Sequence, residues 1–150
     1  NKNSSLMFGI QWDLMLAFIH QKGNVSDEML AENGVTMGNY HDSIWNITNS
    51  NAQYSINNGD SFINSKYNKT EAGDILLTTG AVSSFSQMNI YDISGNVWEW
   101  TLEKSADDSK PCTYRGGAYY KEGQDDPASS RNAGTTDVSN NNIGFRVAIY

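Results

Sequence analysis

The stretch NIYDISGNVWEW, residues 89–100, combines aromatic, acidic, amide and glycine residues too densely for a plain surface loop. Gly95 reaches positive φ without a steric penalty, so Ser94, Gly95 and Asn96 are predicted to form a tight turn. Extended chain is predicted on both sides of this turn, with the second run covering residues 97–102. The pattern indicates a buried corner around which the rest of the domain is arranged.

The run after the turn alternates in character from one residue to the next. Trp98 and Trp100 face one side of the predicted strand, and Glu99 and Thr101 face the other. One face of this strand is therefore strongly apolar, and both tryptophans are expected in the core.

Three polar side chains stand near the turn, namely Asp92, Asn96 and Glu99. Side chains of these types hydrogen-bond nearby backbone amides, and they also supply oxygen ligands to hard cations such as calcium. The residues by themselves leave both interpretations open.

Length and composition indicate a single polar, loop-rich domain. The chain has 150 residues, of which 38% are hydrophobic and 18% charged, and a formal net charge of −7. That charge makes nucleic acid an unsuitable partner and fits a positive ligand, a metal or a neutral sugar better. Cys112 is the single cysteine, so neither an internal disulfide nor a cysteine cage for a metal is expected. No membrane-spanning run or signal peptide is recognisable, and the abrupt polar start at Asn1 predicts a fragment of a longer protein.

Hydrophobic spacing predicts one substantial helix, over residues 6–21, that is buried over most of its surface. Ser4 or Ser5 is expected to cap its start and Gly23 to follow its end. The apolar positions at three- and four-residue spacings are Ile10, Trp12, Leu14, Met15, Leu16, Phe18 and Ile19.

Other elements are shorter. Residues 24–32 are predicted to form a second helix capped by Ser26, and strands are predicted over residues 75–79, 113–120 and 143–149. The polar tract 34–71 is too long for a plain loop and indicates either a functional loop or unrecognised elements. Of the two histidines, His20 is interpreted as a surface residue and His41, beside Asp42, as a weak metal candidate.

Four motifs follow one another in a specific order: NIYDISGNVWEWT at residues 89–101, YRGGAYY at 114–120, SSR at 129–131 and NIGFRVA at 142–148. This order closely resembles the formylglycine-generating enzyme family, also called the sulfatase-modifying factor family. The resemblance spans nearly the whole chain. It implies an α+β fold that is a variant of the C-type-lectin-like fold, loop-rich and with little regular secondary structure, formed by residues 1–150 as one domain that is the C-terminal part of a longer chain.

The activity of catalytic members of that family is not expected here. In those members two cysteines after the RGG segment hold copper, whereas residues 118–131 of this chain read AYYKEGQDDPASSR. Copper(I) prefers thiolate ligands, which this region lacks. Other members are non-haem iron enzymes that use three histidines, and His20 with His41 does not supply that set.

The resemblance also implies a possible cofactor, calcium, held by backbone carbonyls and the glutamate of the central turn. The corresponding residues are Ser94, Gly95, Val97 and Glu99. The alternative is that Glu99 is a buried partner of an arginine.

Arg115, Arg131 and Arg146 each lie beside buried-looking sequence, and Asp92 or Glu99 is their expected partner. Gly116 and Gly117 indicate a bulge or a close backbone approach, and Phe145 is expected in the core.

We expect a non-catalytic ligand-binding domain, receptor-like or adhesin-like, that displays the loop 121–142 on a lectin-like scaffold. Aromatic contact area and adaptable polar groups are typical of binding surfaces. The candidate ligand-binding residues are Tyr119, Tyr120, Gln124, Asp125, Asp126, Asn132, Thr135, Thr136, Asn140 and Asn141. The expected partner is a protein or carbohydrate on a cell surface, and the expected location is a bacterial surface or a phage particle. Variable proteins of diversity-generating retroelements resemble this family and vary residues in this region.

Two alternatives stay open. One is a divergent oxidoreductase of the family or another enzyme with altered chemistry, which requires a buried, converging set of titratable groups. The other is a structural domain without a ligand, which would show scattered polar side chains and no aromatic platform.

Overall fold

The computed structural model describes residues 2–137 and 139–150, and these form a mixed α+β structure of short elements. The helices are α1, Gly9–Lys22; α2, Asp27–Ala31; and a 3-10 turn, Ser83–Phe85. The strands are β1, Ser4–Leu6; β2, Trp45–Asn46; β3, Tyr54–Ser55; β4, Asn68–Lys69; β5, Leu76–Leu77; β6, Ser86–Gln87; β7, Ile90–Tyr91; β8, Trp98–Lys104; β9, Cys112–Arg115; β10, Arg131–Gly134; β11, Ile143–Phe145; and β12, Val147–Ile149.

A four-stranded sheet in the order β10-β9-β8-β11 organises the second half of the chain. Strands β8, β9 and β10 are antiparallel, whereas β11 runs parallel to β8. The remaining described strands form two-stranded pairs, β1-β12, β2-β4, β3-β5 and β6-β7. The central strand of the large sheet, β8, is therefore the run that follows the predicted turn.

Helix α1 starts later than predicted. Residues Ser4–Leu6 pair with Val147–Ile149, so the chain is extended there and neither Ser4 nor Ser5 caps the helix. Phe8 occupies the cap position instead, and its N–H donates to the Gln11 side chain over 2.9 Å. Gly23 ends the helix as predicted, with its N–H bonded to the Ile19 carbonyl.

The buried face of α1 is narrower than predicted. Trp12, Leu16 and Ile19 pack into the first core cluster. The opposite face carries Ile10, Leu14 and Phe18, which are 67%, 62% and 45% exposed, so the prediction of a mostly buried helix was wrong. The reason is that α1 has apolar residues on two opposite sides, while the described structure covers one of them.

Other predicted elements are present with shorter bounds. Ser26 caps α2 as predicted, because its Oγ accepts the Met29 N–H over 3.2 Å. The strand predicted at 75–79 is reduced to Leu76–Leu77. The tract 34–71 holds β2, β3 and β4, two-residue strands too short to produce an alternating pattern in the sequence.

A second core cluster lies beneath this tract. Trp45, Tyr54, Leu77, Val82 and Phe85 belong to it. Trp45, Tyr54 and Tyr67, three isolated aromatics of the long polar tract, are therefore anchors that pack the tract into this cluster, whereas Phe62 is exposed.

The strand predicted at 113–120 ends at Arg115, because Gly116 and Gly117 have φ of 94° and 81°. The predicted close approach is confirmed, since a Cβ on Gly117 would lie 2.1 Å from the Asp126 carbonyl oxygen. The strand predicted at 143–149 is divided at Arg146 into β11 and β12. In the part of the chain that the structure describes, no helix has the length and apolar character needed to span a bilayer.

Candidate functional site

The central turn has the predicted geometry, but the extended run predicted before it ends at Tyr91, because Asp92 has φ of 51°. Gly95 and Asn96 have φ of 68° and 62°, both in the left-handed region. The Gly95 N–H donates to the Gly116 carbonyl and the Asn96 N–H to the Asn39 carbonyl, each over 2.7 Å. A Cβ on Gly95 would lie 2.3 Å from that Asn39 oxygen, so the close packing of the two loops requires glycine.

The Asn96 side chain pins neighbouring backbone, which is one of the two interpretations left open by the sequence. Its Oδ1 accepts from the Leu77 N–H and its Nδ2 donates to the Leu77 carbonyl, both over 3.0 Å. Asp92 acts in the same way, because its Oδ2 accepts the Gly80 N–H over 2.7 Å. Burial raises the pKa of Asp92, and the Gly80 N–H and Arg146 oppose that rise.

Glu99 is a buried ion-pair partner of Arg146. Arg146 Nε donates to one Glu99 oxygen over 2.6 Å, and Nη2 donates to the other over 2.5 Å. Burial raises the pKa of Glu99, while the guanidinium lowers it. Arg146 Nη2 also donates to the Tyr91 carbonyl over 2.9 Å, so this pair ties β7 and β8 together.

Arg115 and Arg131 have other partners than predicted. Fully buried Arg115 donates to Glu103 over 2.9 Å and to Asp13 over 2.8 Å. Arg131 donates to the remaining oxygens of the same two carboxylates over 2.8 and 2.6 Å. The prediction of Asp92 or Glu99 as partner was wrong for these two arginines, because α1 brings Asp13 onto the sheet. This network covers one face of the sheet.

The opposite face of the sheet carries a row of side chains across all four strands. Phe145 is directly opposite Trp100, Trp100 opposite Tyr114, and Tyr114 opposite Asn132. The Trp100 and Tyr114 rings meet edge to face with centroids 5.2 Å apart. Phe145 is 66% exposed, so its predicted core position was wrong. We call this row, with exposed Leu102, the aromatic face.

A cavity of about 260 Å³ opens beside the aromatic face. Trp100, Leu102 and Cys112 form its sheet side, and Thr135 and Thr136 form its rim. Its lining is mainly apolar and includes three threonines, Thr101, Thr135 and Thr136, an arrangement that suits a partly apolar side chain of a partner.

The chain matches the model of one family, the sulfatase-modifying factor enzyme 1-like domain, over residues 22–150. The chain belongs to this family. No curated protein and no solved structure matches it. The central turn, the aromatic face and the Glu99–Arg146 pair all lie inside the matched residues, whereas α1 lies almost entirely before them.

The donor set of this sulfatase-modifying factor domain does not fit copper. Cys112 is the single cysteine of the chain, so a pair of thiolates is not available within it. Within the described residues, no group of three or more His, Cys, Asp or Glu side chains converges to hold a metal ion. The two histidines contact different residues. His41 Nδ1 lies 2.7 Å from Asp74 Oδ1, and His20 Nδ1 lies 3.0 Å from the Val25 carbonyl oxygen.

Of the four residues implied for calcium, Glu99 is already engaged and the Ser94 side chain is bonded elsewhere, while the three backbone carbonyls of the prediction are not tested. Both Glu99 oxygens are bonded to the Arg146 guanidinium, whose positive charge opposes a cation. Buried Ser94 uses its Oγ in a 2.7 Å bond with the Tyr40 hydroxyl. Gly95 belongs to the buried turn, and Val97 is half-buried beside it. Glu99 is thus the buried partner of an arginine, which was the alternative to calcium binding. Calcium binding at this turn stays a prediction.

The ten predicted ligand-binding residues separate into three groups. Asn132, Thr135 and Thr136 adjoin the aromatic face and its cavity, and Tyr120 joins them through a 3.3 Å bond that its hydroxyl accepts from Trp98 Nε1. Burial raises the pKa of Tyr114, and the neighbouring Tyr120 adds to the rise.

The second group consists of Tyr119, Asn140 and Asn141. Two of these, Tyr119 and Asn141, bond to Asn58, which is distant in sequence. The hydroxyl of buried Tyr119 donates to Asn58 Oδ1 over 3.1 Å, and Asn141 Nδ2 donates to the Asn58 carbonyl. Asn140, next to Asn141, is exposed. Tyr119 is therefore a packing residue and not part of an open surface.

The third group forms a separate turn. Gln124 and Asp125 are exposed, and Asp126 is half-buried with its carboxylate 3.5 Å from Lys121. The loop 121–142 as a whole is not one surface, and its Val138 lies outside the described residues.

Sequence reasoning did not predict that Phe145 and Leu102 are exposed and that Trp100 and Tyr114 beside them are only half-buried. The alternation of Trp98, Trp100 and Leu102 was a usable signal, because it indicated a coherent apolar face. That pattern does not say whether the face is covered by another element.

Proposed function

We propose that this domain is a non-catalytic binding module and that the aromatic face holds a protein ligand. The observation that carries the proposal is the row of Phe145, Trp100, Tyr114 and Asn132 across the central sheet, in which Phe145 and Asn132 are exposed and the two rings between them are half-buried. A lectin-like scaffold accords with its short strands, long loops and family membership, because such a scaffold presents side chains from a rigid frame.

The face has the composition of a protein-binding surface. Aromatic residues are enriched at the centres of such surfaces, and polar residues form the rim. Here Trp100, Tyr114 and Phe145 form the centre, and Asn132 and Thr136 form part of the rim.

The frame beneath this face is rigid, which lowers the entropic cost of binding. Arg115 and Arg131 bind the sheet to α1 through Asp13 and Glu103 on the opposite side. The aromatic side chains are therefore held on strands that have little freedom to rearrange.

A protein ligand is favoured over a carbohydrate by the amount of exposed apolar side chain on this face. Leu102 and Phe145 are both large and well exposed, and such surface gains more from an apolar partner than from a hydroxylated one. The aromatic platform also argues against a structural domain without a ligand. A bacterial cell surface or a phage particle is the proposed location. It is supported by the low fraction of charged residues, 18%, and by the Asn- and Ser-rich composition.

The proposal is tested with peptides selected from a phage-displayed library on the intact chain. Their affinity is then measured for Phe145→Ala and for Phe18→Ala, a matched loss of an exposed phenylalanine on α1. Removing a central aromatic contact costs about 2 kcal/mol, so Phe145→Ala is expected to weaken binding by more than tenfold. Phe18→Ala is expected to bind as the unchanged chain does.

Equal affinity of all three proteins for every selected peptide would contradict the proposal. Both variants alter exposed side chains, so their thermal midpoints are expected to stay close to that of the unchanged chain. Selective loss of glycan binding in Phe145→Ala, with no peptide binding, would assign a carbohydrate to the face instead.

A further inference from the structure

A second cavity, of about 460 Å³, shares no lining residue with the aromatic face. We call it the Tyr91 cleft, and its lining residues are Thr48, Asn49, Thr79, Gly80, Ser83 and Tyr91. Its volume lies within the range of small-molecule sites, roughly 300–1,000 Å³. The proposed protein-binding function makes no use of this cleft.

The lining of the cleft is uncharged and rich in hydroxyl groups, in a chain with a net charge of −7. The side chain of Tyr91 is the aromatic element, and the residue is 44% exposed. Within the part of the chain that the structure describes, the hydroxyls of Thr79, Ser83 and Tyr91 form no hydrogen bond. Each of them is free to donate and to accept.

The frame of the cleft is held by internal hydrogen bonds. Thr48 Oγ1 accepts the Ser83 N–H over 2.8 Å, and Asn49 Nδ2 donates to the Gly80 carbonyl over 3.2 Å. The Gly80 N–H in turn donates to Asp92 Oδ2 over 2.7 Å. The free hydroxyls are thus carried by a preorganised backbone.

Tyr91 itself is presented by a tight hairpin. It lies on β7, which pairs with β6 through a two-residue turn in which Met88 and Asn89 have φ of 53° and 63°. Asp92, the next residue, has φ of 51°. Positive φ at both central residues is the ordinary geometry of a two-residue hairpin turn, so this hairpin and the left-handed Asp92 fix the position of the exposed Tyr91.

A further cavity, of about 440 Å³, adjoins the cleft and shares Thr79 and Tyr91 with it. Met7, Met15 and Ile90 give it a more apolar lining. Tyr91 therefore stands between two concave surfaces, which offers room for a ligand longer than one ring.

We propose that the Tyr91 cleft binds a neutral saccharide. A sugar ring presents an apolar C–H face that packs on an aromatic ring, and hydroxyls that pair with protein hydroxyl and amide groups. The cleft offers both kinds of contact and no charged side chain for an ionic ligand. Arg146 lines the adjoining cavity, but Glu99 balances its charge.

The test is binding of the intact chain to an array of neutral and anionic glycans, followed by titration of the bound glycan. Neutral glycans are expected to bind, and Tyr91→Ala is expected to weaken that binding at least tenfold. Tyr91→Phe keeps the ring and loses the hydroxyl, so a smaller loss is expected. Tyr150→Ala, which removes another exposed tyrosine outside the cleft, is expected to leave glycan binding unchanged.

Several results would overturn the proposal. They are the absence of neutral glycan binding by the folded chain, equal binding by Tyr91→Ala, and loss of glycan binding in Phe145→Ala instead of in Tyr91→Ala. Thr79→Val, at an exposed position, tests the cleft independently and is expected to weaken binding, so the test stands if Tyr91→Ala is unstable. Peptide binding at the aromatic face is measured in a separate assay, so a negative result for one proposal does not decide the other.

Discussion

Lys69 is a buried cation at the edge of the second core. Its ammonium donates to the carbonyls of Tyr40 and His41 over 2.5 and 2.9 Å. Burial lowers its pKa to about 8, and Asp42 and Asp74 oppose that change. The side chain replaces water with two carbonyl acceptors, which compensates only part of the cost of burying a charge.

The pH dependence of stability follows from this pKa. An unfolded lysine titrates near pH 10.4, so between about pH 8 and that value the unfolded state holds more protons. The free energy of unfolding is therefore expected to rise with pH by roughly 1 kcal/mol per unit in this window. In Lys69→Met the rise is expected to be lost, while the two carbonyls keep their hydrogen bonds from Ser43 and Gly73.

Urea unfolding at several values between about pH 7.5 and 9.5 measures how the free energy of unfolding changes with pH, because Lys69 titrates within this range in the folded state. Lys66→Met, at an exposed position, is the matched control and is expected to keep the slope. An unchanged slope in Lys69→Met would show that another group causes the dependence.

At the scale of elements, α1 is fastened to the sheet by Arg115. Asp13 on α1 and Glu103 on β8 both accept from this arginine, and its guanidinium lies 5.6 Å from the Trp12 ring. Arg131 from β10 completes the network. One buried side chain thus connects a helix with the two strands that follow the central turn.

Replacing Arg115 by Met is expected to destabilise the domain by about 3 kcal/mol, because breaking a buried ion pair leaves its carboxylates without their partner. Lys104→Met removes the exposed pair with Asp108 and is expected to cost less than about 1 kcal/mol. Chemical unfolding of the two variants under one condition makes the comparison. Similar losses would mean that the network contributes no more than a surface pair.

At the scale of the whole molecule, the central sheet has one covered and one open face. The covered face holds Glu99, Thr101 and Arg115, and the open face holds Trp100 and Phe145. Charged and polar groups therefore lie on the covered face. On the other face Trp98 is buried, Trp100 is half-buried and Phe145 is exposed. The exposed part of that face leaves Phe145 and its neighbours available for a ligand.

Calcium is expected to leave the thermal midpoint of the whole domain unchanged after treatment with EDTA. The reason is that Arg146 already neutralises Glu99, so the folded state gains no ligand. Magnesium serves as the control for a general ionic effect. A calcium-specific rise that is lost in Glu99→Gln would instead support a metal at the central turn.

Local chemistry was predictable from the sequence. Gly95 had to allow positive φ, Ser26 had to cap α2, and Gly23 had to end α1, because each of these depends on one or two neighbouring residues. The order of the sequence motifs also predicted the family, and the match over residues 22–150 confirms that prediction.

The sidedness of the fold was decided only by tertiary contacts. Alternation shows that Trp98, Trp100 and Leu102 share a face, and helical spacing shows that Ile10, Leu14 and Phe18 do. Which face is covered depends on pairs distant in sequence, such as Arg115 with Asp13, 102 residues apart. A periodic pattern shows which residues lie on one face but not which neighbours that face contacts. For that reason the sequence predicted the two faces of β8, while the tertiary structure decided that the aromatic face is covered at Trp98 and exposed at Leu102.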